Sequence, residues 1–157
     1  MNKTYNKERH IELLKYSQYL KKKGKFIGDE SQNDYLELLS YSAIQANHLN
    51  WETQDHYLKL LKKFEERKID ISDFCIAFCK RSELNNDVSN ILESNLILLA
   101  PHSKSGEFAA FIEQICDDCE VYSGDPEPFR ESYEIGDIKF RASVEKIFLK
   151  MQKYLDE

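Results

Sequence analysis

The strongest constraint in this chain is one apolar stripe. Between Gly106 and Tyr122, the residues Phe108, Phe111, Ile112, Ile115, Cys116, Cys119 and Tyr122 recur at spacings of one, three and four. That pattern places them on one face of an α-helix and on no face of a strand. A helix with such a stripe must bury it against other helices, and the rest of the sequence supplies candidates. Asn6 to Lys23 carries Ile11, Leu13, Leu14, Tyr16 and Leu20, with Lys21, Lys22 and Lys23 at the negative end of the dipole. Asp34 to Leu49 aligns Tyr35, Leu38, Leu39, Ser42, Ala46 and Leu49. Asn50 offers a cap for a helix over Trp51 to Lys68, with Tyr57, Leu60, Leu61 and Phe64 inward. Ser72 offers another for a short helix bearing Phe74, Cys75 and Phe78. Asp137 is expected to cap the last helix, whose stripe is Phe140, Val144, Ile147, Phe148, Met151, Tyr154 and Leu155.

The connections follow from residues that break helices. Lys25 to Asn33, with two glycines, reads as a loop. The polar run Ser82 to Asp87 reads as a break before a weaker segment, Val88 to Leu99. That segment is expected to be helical, with a short strand over Leu96 to Leu99 as the alternative. Pro101 ends it, Ser105 caps the next helix, and Ser123 to Gly136 forms an acidic loop rich in Pro and Gly. Only 5 Gly and 3 Pro in 157 residues argue against a β-rich fold full of tight turns. The expected fold is all-α: an antiparallel up-and-down helical bundle in a single domain, 1–157.

No apolar run approaches the roughly 18 residues of a membrane span; Leu96 to Ala100 is a buried-segment signal at most. The first residues, MNKTYNKERHIELL, are too polar for a secretory signal. The expectation is therefore a cytoplasmic protein (or a stromal one, if organelle-encoded) with no membrane partner and with reduced thiols.

Candidate chemistry is sparse. Cys75 and Cys79 lie four apart and Cys116 and Cys119 three apart, so two helices could offer four thiolates to zinc. Neither pair has the knuckle-turn residues of such sites, and the preferred reading is core cysteines, with no metal and no cofactor. His10, His48, His56 and His102 sit on different elements with no carboxylate at dyad spacing. Asp117, Asp118 and Glu120 as acid–base carboxylates compete with a solvated helix face. No catalytic residues and no enzyme are expected.

Charge is more informative. The net charge is −6, yet Met1 to Lys25 holds eight bases and two acids, while Ile112 to Asp137 holds nine acids and one base. Lys21, Lys22, Lys23 and Lys25 could touch RNA in a small adaptor protein, but a net acidic chain is a poor nucleic-acid binder. The stretch DDCEVYSGDPEPFRESYEIGD, from Asp117, cannot neutralise its own charge and suits a basic protein partner. Its acids Asp117, Asp118, Glu120, Asp125, Glu127, Glu131 and Glu134 supply the potential. Tyr122, Phe129 and Tyr133 are placed to anchor a contact or to pin the loop, and Pro126 and Pro128 stiffen it.

Arg130 to Met151, RESYEIGDIKFRASVEKIFLKM, resembles the C-terminal part of the colicin D immunity proteins, in which an acidic, aromatic-containing loop precedes Arg-x-x-Tyr-Glu-Ile. The matching residues are Arg130, Tyr133, Glu134 and Ile135, then Arg141, Val144 and Ile147. The Tyr57 to Phe78 region, with its Lys-Ile-x-Ile-Ser turn, is similar to the family's first hairpin. The resemblance implies a four-helix immunity-like core over 51–157, with 1–50 as an N-terminal helical extension. It also implies a non-catalytic protein that inhibits a basic, tRNA-cleaving ribonuclease toxin, its acidic loop standing in for RNA phosphates. Glu120, Asp125 and Glu127 would then meet the toxin, and Arg130, Tyr133, Glu134 and Ile135 would hold the loop. The chain departs from the family in its two extra N-terminal helices, an added segment at Leu84 to Lys104, and a slightly longer loop.

Overall fold

A computed structural model describes residues 4–157, so Lys3, one of the bases in the N-terminal segment, lies outside the described residues. The described chain is an all-α helical bundle. Its helices are α1 (Lys7–Lys22), α2 (Ile27–Glu30), α3 (Gln32–Glu52), α4 (Gln54–Glu65), α5 (Ile71–Ser94), α6 (Ser105–Val121) and α7 (Asp137–Asp156), with a 3-10 turn at Glu127–Phe129. None of the described helices is long and apolar enough to cross a membrane.

The chain divides into two compact units that are discontinuous in sequence. One comprises residues 1–51 and 85–106, and the other residues 52–84 and 107–157. Residues 85–106 thus group with the N-terminal segment, and α5 contributes its first half to one unit and its second half to the other.

In the second unit, α4, the first half of α5, α6 and α7 surround an aromatic core. Tyr57, Phe74, Phe78, Phe108 and Phe140 have no exposed surface, nor do Leu61, Ile115, Val144 and Met151. The rings meet edge-on or tilted: Tyr57 lies 5.0 Å from Phe78, Phe64 4.7 Å from Phe74, and Phe64 5.8 Å from Phe140. These separations suit the ring quadrupoles better than face-to-face stacking.

In the first unit, Leu13, Leu14, Leu20, Ile27, Leu38, Tyr41 and Leu98 form the apolar core. Arg9 secures α1 to α3 by donating from Nε to Glu37 at 2.7 Å and from Nη2 to Asp34 at 3.0 Å. Unusually, the interior also holds polar groups. His10 and Glu93 are buried with Nε2 and Oε1 3.8 Å apart, the Ser42 hydroxyl donates to Glu93 at 2.9 Å, and Tyr5 shares a 2.9 Å hydrogen bond with His10 Nδ1. Gln45 clamps the connector after α5: its amide donates to the Leu99 carbonyl and its carbonyl accepts the Leu99 N–H, both at 2.8 Å. His48 Nδ1 accepts the His102 N–H at 3.1 Å, and the His102 ring stacks on Trp51 at 4.3 Å.

Several expectations need correction. The polar run 82–87 does not break a helix; it lies inside α5. Asn85 is buried and donates to the Asn50 side chain at 2.8 Å, so its polarity marks a buried hydrogen bond and not solvent. Asn50 is accordingly inside α3, and the residue that precedes α4 is Thr53. Asp70 caps α5 in place of Ser72, accepting the Asp73 N–H at 2.8 Å. The segment 95–99 is neither helix nor strand, because α5 stops where Leu96 takes a left-handed φ of 56°. There the Ile97 N–H bonds to the Leu92 carbonyl and the Leu96 N–H to the Glu93 carbonyl, the paired closure typical of a left-handed helix stop. The 25–33 loop contains the one-turn α2.

Candidate functional site

The acidic loop belongs to the second unit and is closed at its base. Tyr122 and Ile135 form an isolated parallel bridge, in which the Ser123 N–H donates to the Ile135 carbonyl at 2.9 Å and the Ile135 N–H to the Val121 carbonyl at 2.8 Å. The Tyr122 hydroxyl donates to Asp137 at 2.8 Å, and its ring lies 5.2 Å from Phe140. Burial and the Asp137 bond push the Tyr122 phenol up to about 12. Arg130 passes against Gly136 so closely that a Cβ at that position would overlap the guanidinium. Glu134 turns back within the loop and accepts the Glu131 N–H at 3.1 Å. Glu134 and Ile135 thus make hydrogen bonds within the loop and at its base, while Arg130 packs against Gly136.

Beside the loop is an open hollow of about 1000 Å³. Asp125, Glu127, Glu131, Glu134 and Asp137 line it, against Arg130 and Lys139. Phe129 and Tyr133 do not pin the loop: they stand 78% and 65% exposed. Both rings stand on a loop tied at its base.

The other predicted acids lie elsewhere. Asp118 is half-buried and accepts a hydrogen bond from the Ser143 hydroxyl, joining α6 to α7. Asp117 lies with it in a groove that also holds Lys146 and Lys150. Glu120 borders a third groove, described next. Helix geometry separates Glu120 from Asp117 and Asp118, and none of the three lines the loop hollow, although the sequence places them in one acidic run with it. The lysines at the end of α1 are exposed; the Lys23 Nζ sits 4.6 Å from the centre of the Tyr19 ring and Lys25 lies 3.9 Å from Glu30.

The third groove brings together the two cysteine pairs for which the sequence favoured places inside the core. Cys75 and Cys79 on α5 and Cys116 and Cys119 on α6 line one open groove of about 400 Å³, together with Ile76, Ser82, Glu83 and Glu120. All four cysteines are free and half-buried, at the edge of the core and not inside it. Hydrogen bonds from Cys116 and Cys119 hold the Cys79 thiol well below the ordinary thiol range. The bond to Cys79, together with burial, pushes Cys116 up, and bonds to Cys75 and Cys79 do the same to Cys119. A signal was present in the sequence: Cys75, Cys79 and Cys116 directly follow Phe74, Phe78 and Ile115, all fully buried. One residue is about 100° of helix rotation, which carries each thiol from the core to its edge.

The chain matches no family model, and no curated protein or solved structure matches it either.

Proposed function

We propose that this chain is a non-catalytic inhibitor of the immunity-protein type, whose acidic loop occupies the basic active site of a ribonuclease-type toxin. One observation carries the reading: five carboxylates line the loop hollow, and the same loop, tied at its base, carries the exposed rings of Phe129 and Tyr133. Carboxylates alone would give steering without tightness, and rings alone would give adhesion without selectivity. Together they suit a partner that is basic, as a nuclease must be to hold RNA phosphates, and that has an apolar cleft beside its charge. The closed base limits the ordering cost of docking. Asp125, Glu127, Glu131, Phe129 and Tyr133 are the contact residues in this reading; Asp118 serves the fold.

The test uses a basic, tRNA-cleaving domain of the colicin D type as the binding probe. Asp125→Lys combined with Glu127→Lys should weaken binding by about 100-fold or more, mainly through a slower on-rate at low salt. Far-UV circular dichroism should be unchanged. Inhibition of tRNA cleavage that survives this double reversal would remove the acidic-loop mechanism.

A further inference from the structure

We propose that the outward face of α5 is a self-association surface, on which a second copy of this chain docks with its own α5 antiparallel to the first. α5 buries Phe74, Phe78, Asn85 and Ser89, and on such a helix the opposite face should be polar. It is not. Ile76, Leu84, Val88 and Ile91 are between 44% and 67% exposed. Ile76, Lys80, Leu84, Asp87 and Ile91 follow one another at spacings of three or four, so they form one stripe, with Val88 beside it. Lys80 and Asp87 are exposed as well. Single apolar residues on a surface need no explanation, but a row of them along one helix marks a contact.

The order of residues along the stripe selects the occupant. Ile76 and Ile91 lie equally far from a point between Glu83 and Leu84, and Lys80 and Asp87 lie equally far from that same point. A two-fold axis through it, perpendicular to the helix, sets Ile76 of each copy against Ile91 of the other, and Lys80 against Asp87. Apolar then meets apolar, and the charges form two opposite pairs. Leu84 of each copy lies next to the axis, and at the ends Asp73 meets Ser94, both exposed. Parallel helices would instead bring Lys80 to Lys80 and Asp87 to Asp87. An unrelated partner requires no such symmetry. Glu83 lies to one side of the stripe, where it and Ile76 line the thiol groove. Ile91 of the second copy thus comes to the mouth of that groove. The residues of the acidic hollow are not on α5, so self-association and nuclease inhibition can each fail without the other.

The experiment measures the mass of the full chain by sedimentation equilibrium over a range of concentrations. One helix face per copy is a small interface, so a dimer of twice 18.5 kDa should form with a micromolar dissociation constant. A chain that stays at 18.5 kDa at millimolar concentration would overturn the proposal. Ile91→Glu should weaken the dimer by about 100-fold or more, with far-UV circular dichroism unchanged. Lys80→Asp and Asp87→Lys should each cost about tenfold by setting like charges face to face. The two together should restore the affinity of the unaltered chain. A dimer indifferent to Ile91→Glu would remove α5 as the surface, and single charge variants that the double does not rescue would remove the antiparallel register.

Discussion

In residues 52–84 and 107–157 the interior is ring against ring: Phe64, Phe74 and Phe140 meet, and the fully buried side chains there are apolar but for the Tyr57 hydroxyl. In the unit of residues 1–51 and 85–106, leucines share the interior with His10, Gln45, His48, Asn50, Asn85, Ser89 and Glu93. Both are built from helices, yet the first gains stability from area and shape, and the second must match each donor with an acceptor. An aromatic core penalises lost volume. A polar interior penalises a change of protonation.

The largest effect should come from the aromatic side. Phe74→Ala removes a ring with no exposed surface that touches Phe64, Phe78 and Phe140. Urea denaturation should show a loss of about 3–5 kcal/mol. A loss under 1 kcal/mol, as for a surface site, would mean that the rings are not close-packed.

The polar unit should respond to pH instead. Burial lowers the His10 imidazole to about 4 from an ordinary 6.5. Between those values the unfolded chain binds a proton that the folded chain refuses, so stability falls as pH drops from 6.5 toward 4. The span corresponds to at most about 3 kcal/mol. Burial raises the Glu93 carboxyl, with the Ser42 hydrogen bond opposing. The folded chain then keeps a proton that the unfolded chain releases above about 4.5, so this group lowers stability as pH rises. The two groups oppose each other. Denaturation at several pH values should therefore give a steeper acid loss for Glu93→Gln than for the unaltered chain, and a flatter or reversed slope for His10→Asn. Identical slopes in all three would place His10 in contact with solvent.

The smallest effect concerns helix ends. Gly24 ends α1 with φ 70°, whereas Arg67 takes φ 57° after α4 in the aromatic unit. The Lys68 N–H still closes on the Lys63 carbonyl at 2.8 Å. Arg67→Gly should relieve the left-handed cost and raise stability by about 1 kcal/mol, measurable as a higher denaturation midpoint. Gly24→Ala should move it the other way by a similar amount.

The same contrast explains what could be read from the sequence. The stripes of α6 and α7 are local and apolar, and the helices form where their spacing put them. α5 was concealed because Asn85 and Ser89 are polar and yet buried, and their surroundings come from residues distant in sequence, Asn50 among them. The loop was visible because charge was concentrated there; its division from Asp117, Asp118 and Glu120 was not, since helix rotation separates neighbours. The thiol groove needed α5 and α6 side by side, and no spacing within either helix could supply that.

The Gln45 clamp has a consequence for the connector after α5. By offering both a donor and an acceptor to Leu99, this amide does the work of an adjoining strand for a segment with no regular structure. His48 repeats the service at His102. A protease must draw several residues out in extended form before it can cut, and here that means first breaking side-chain bonds, two of which end on a buried glutamine. The connector should therefore resist nicking as a helix does, and the first cut in the folded chain should come at the exposed tip near Asp125.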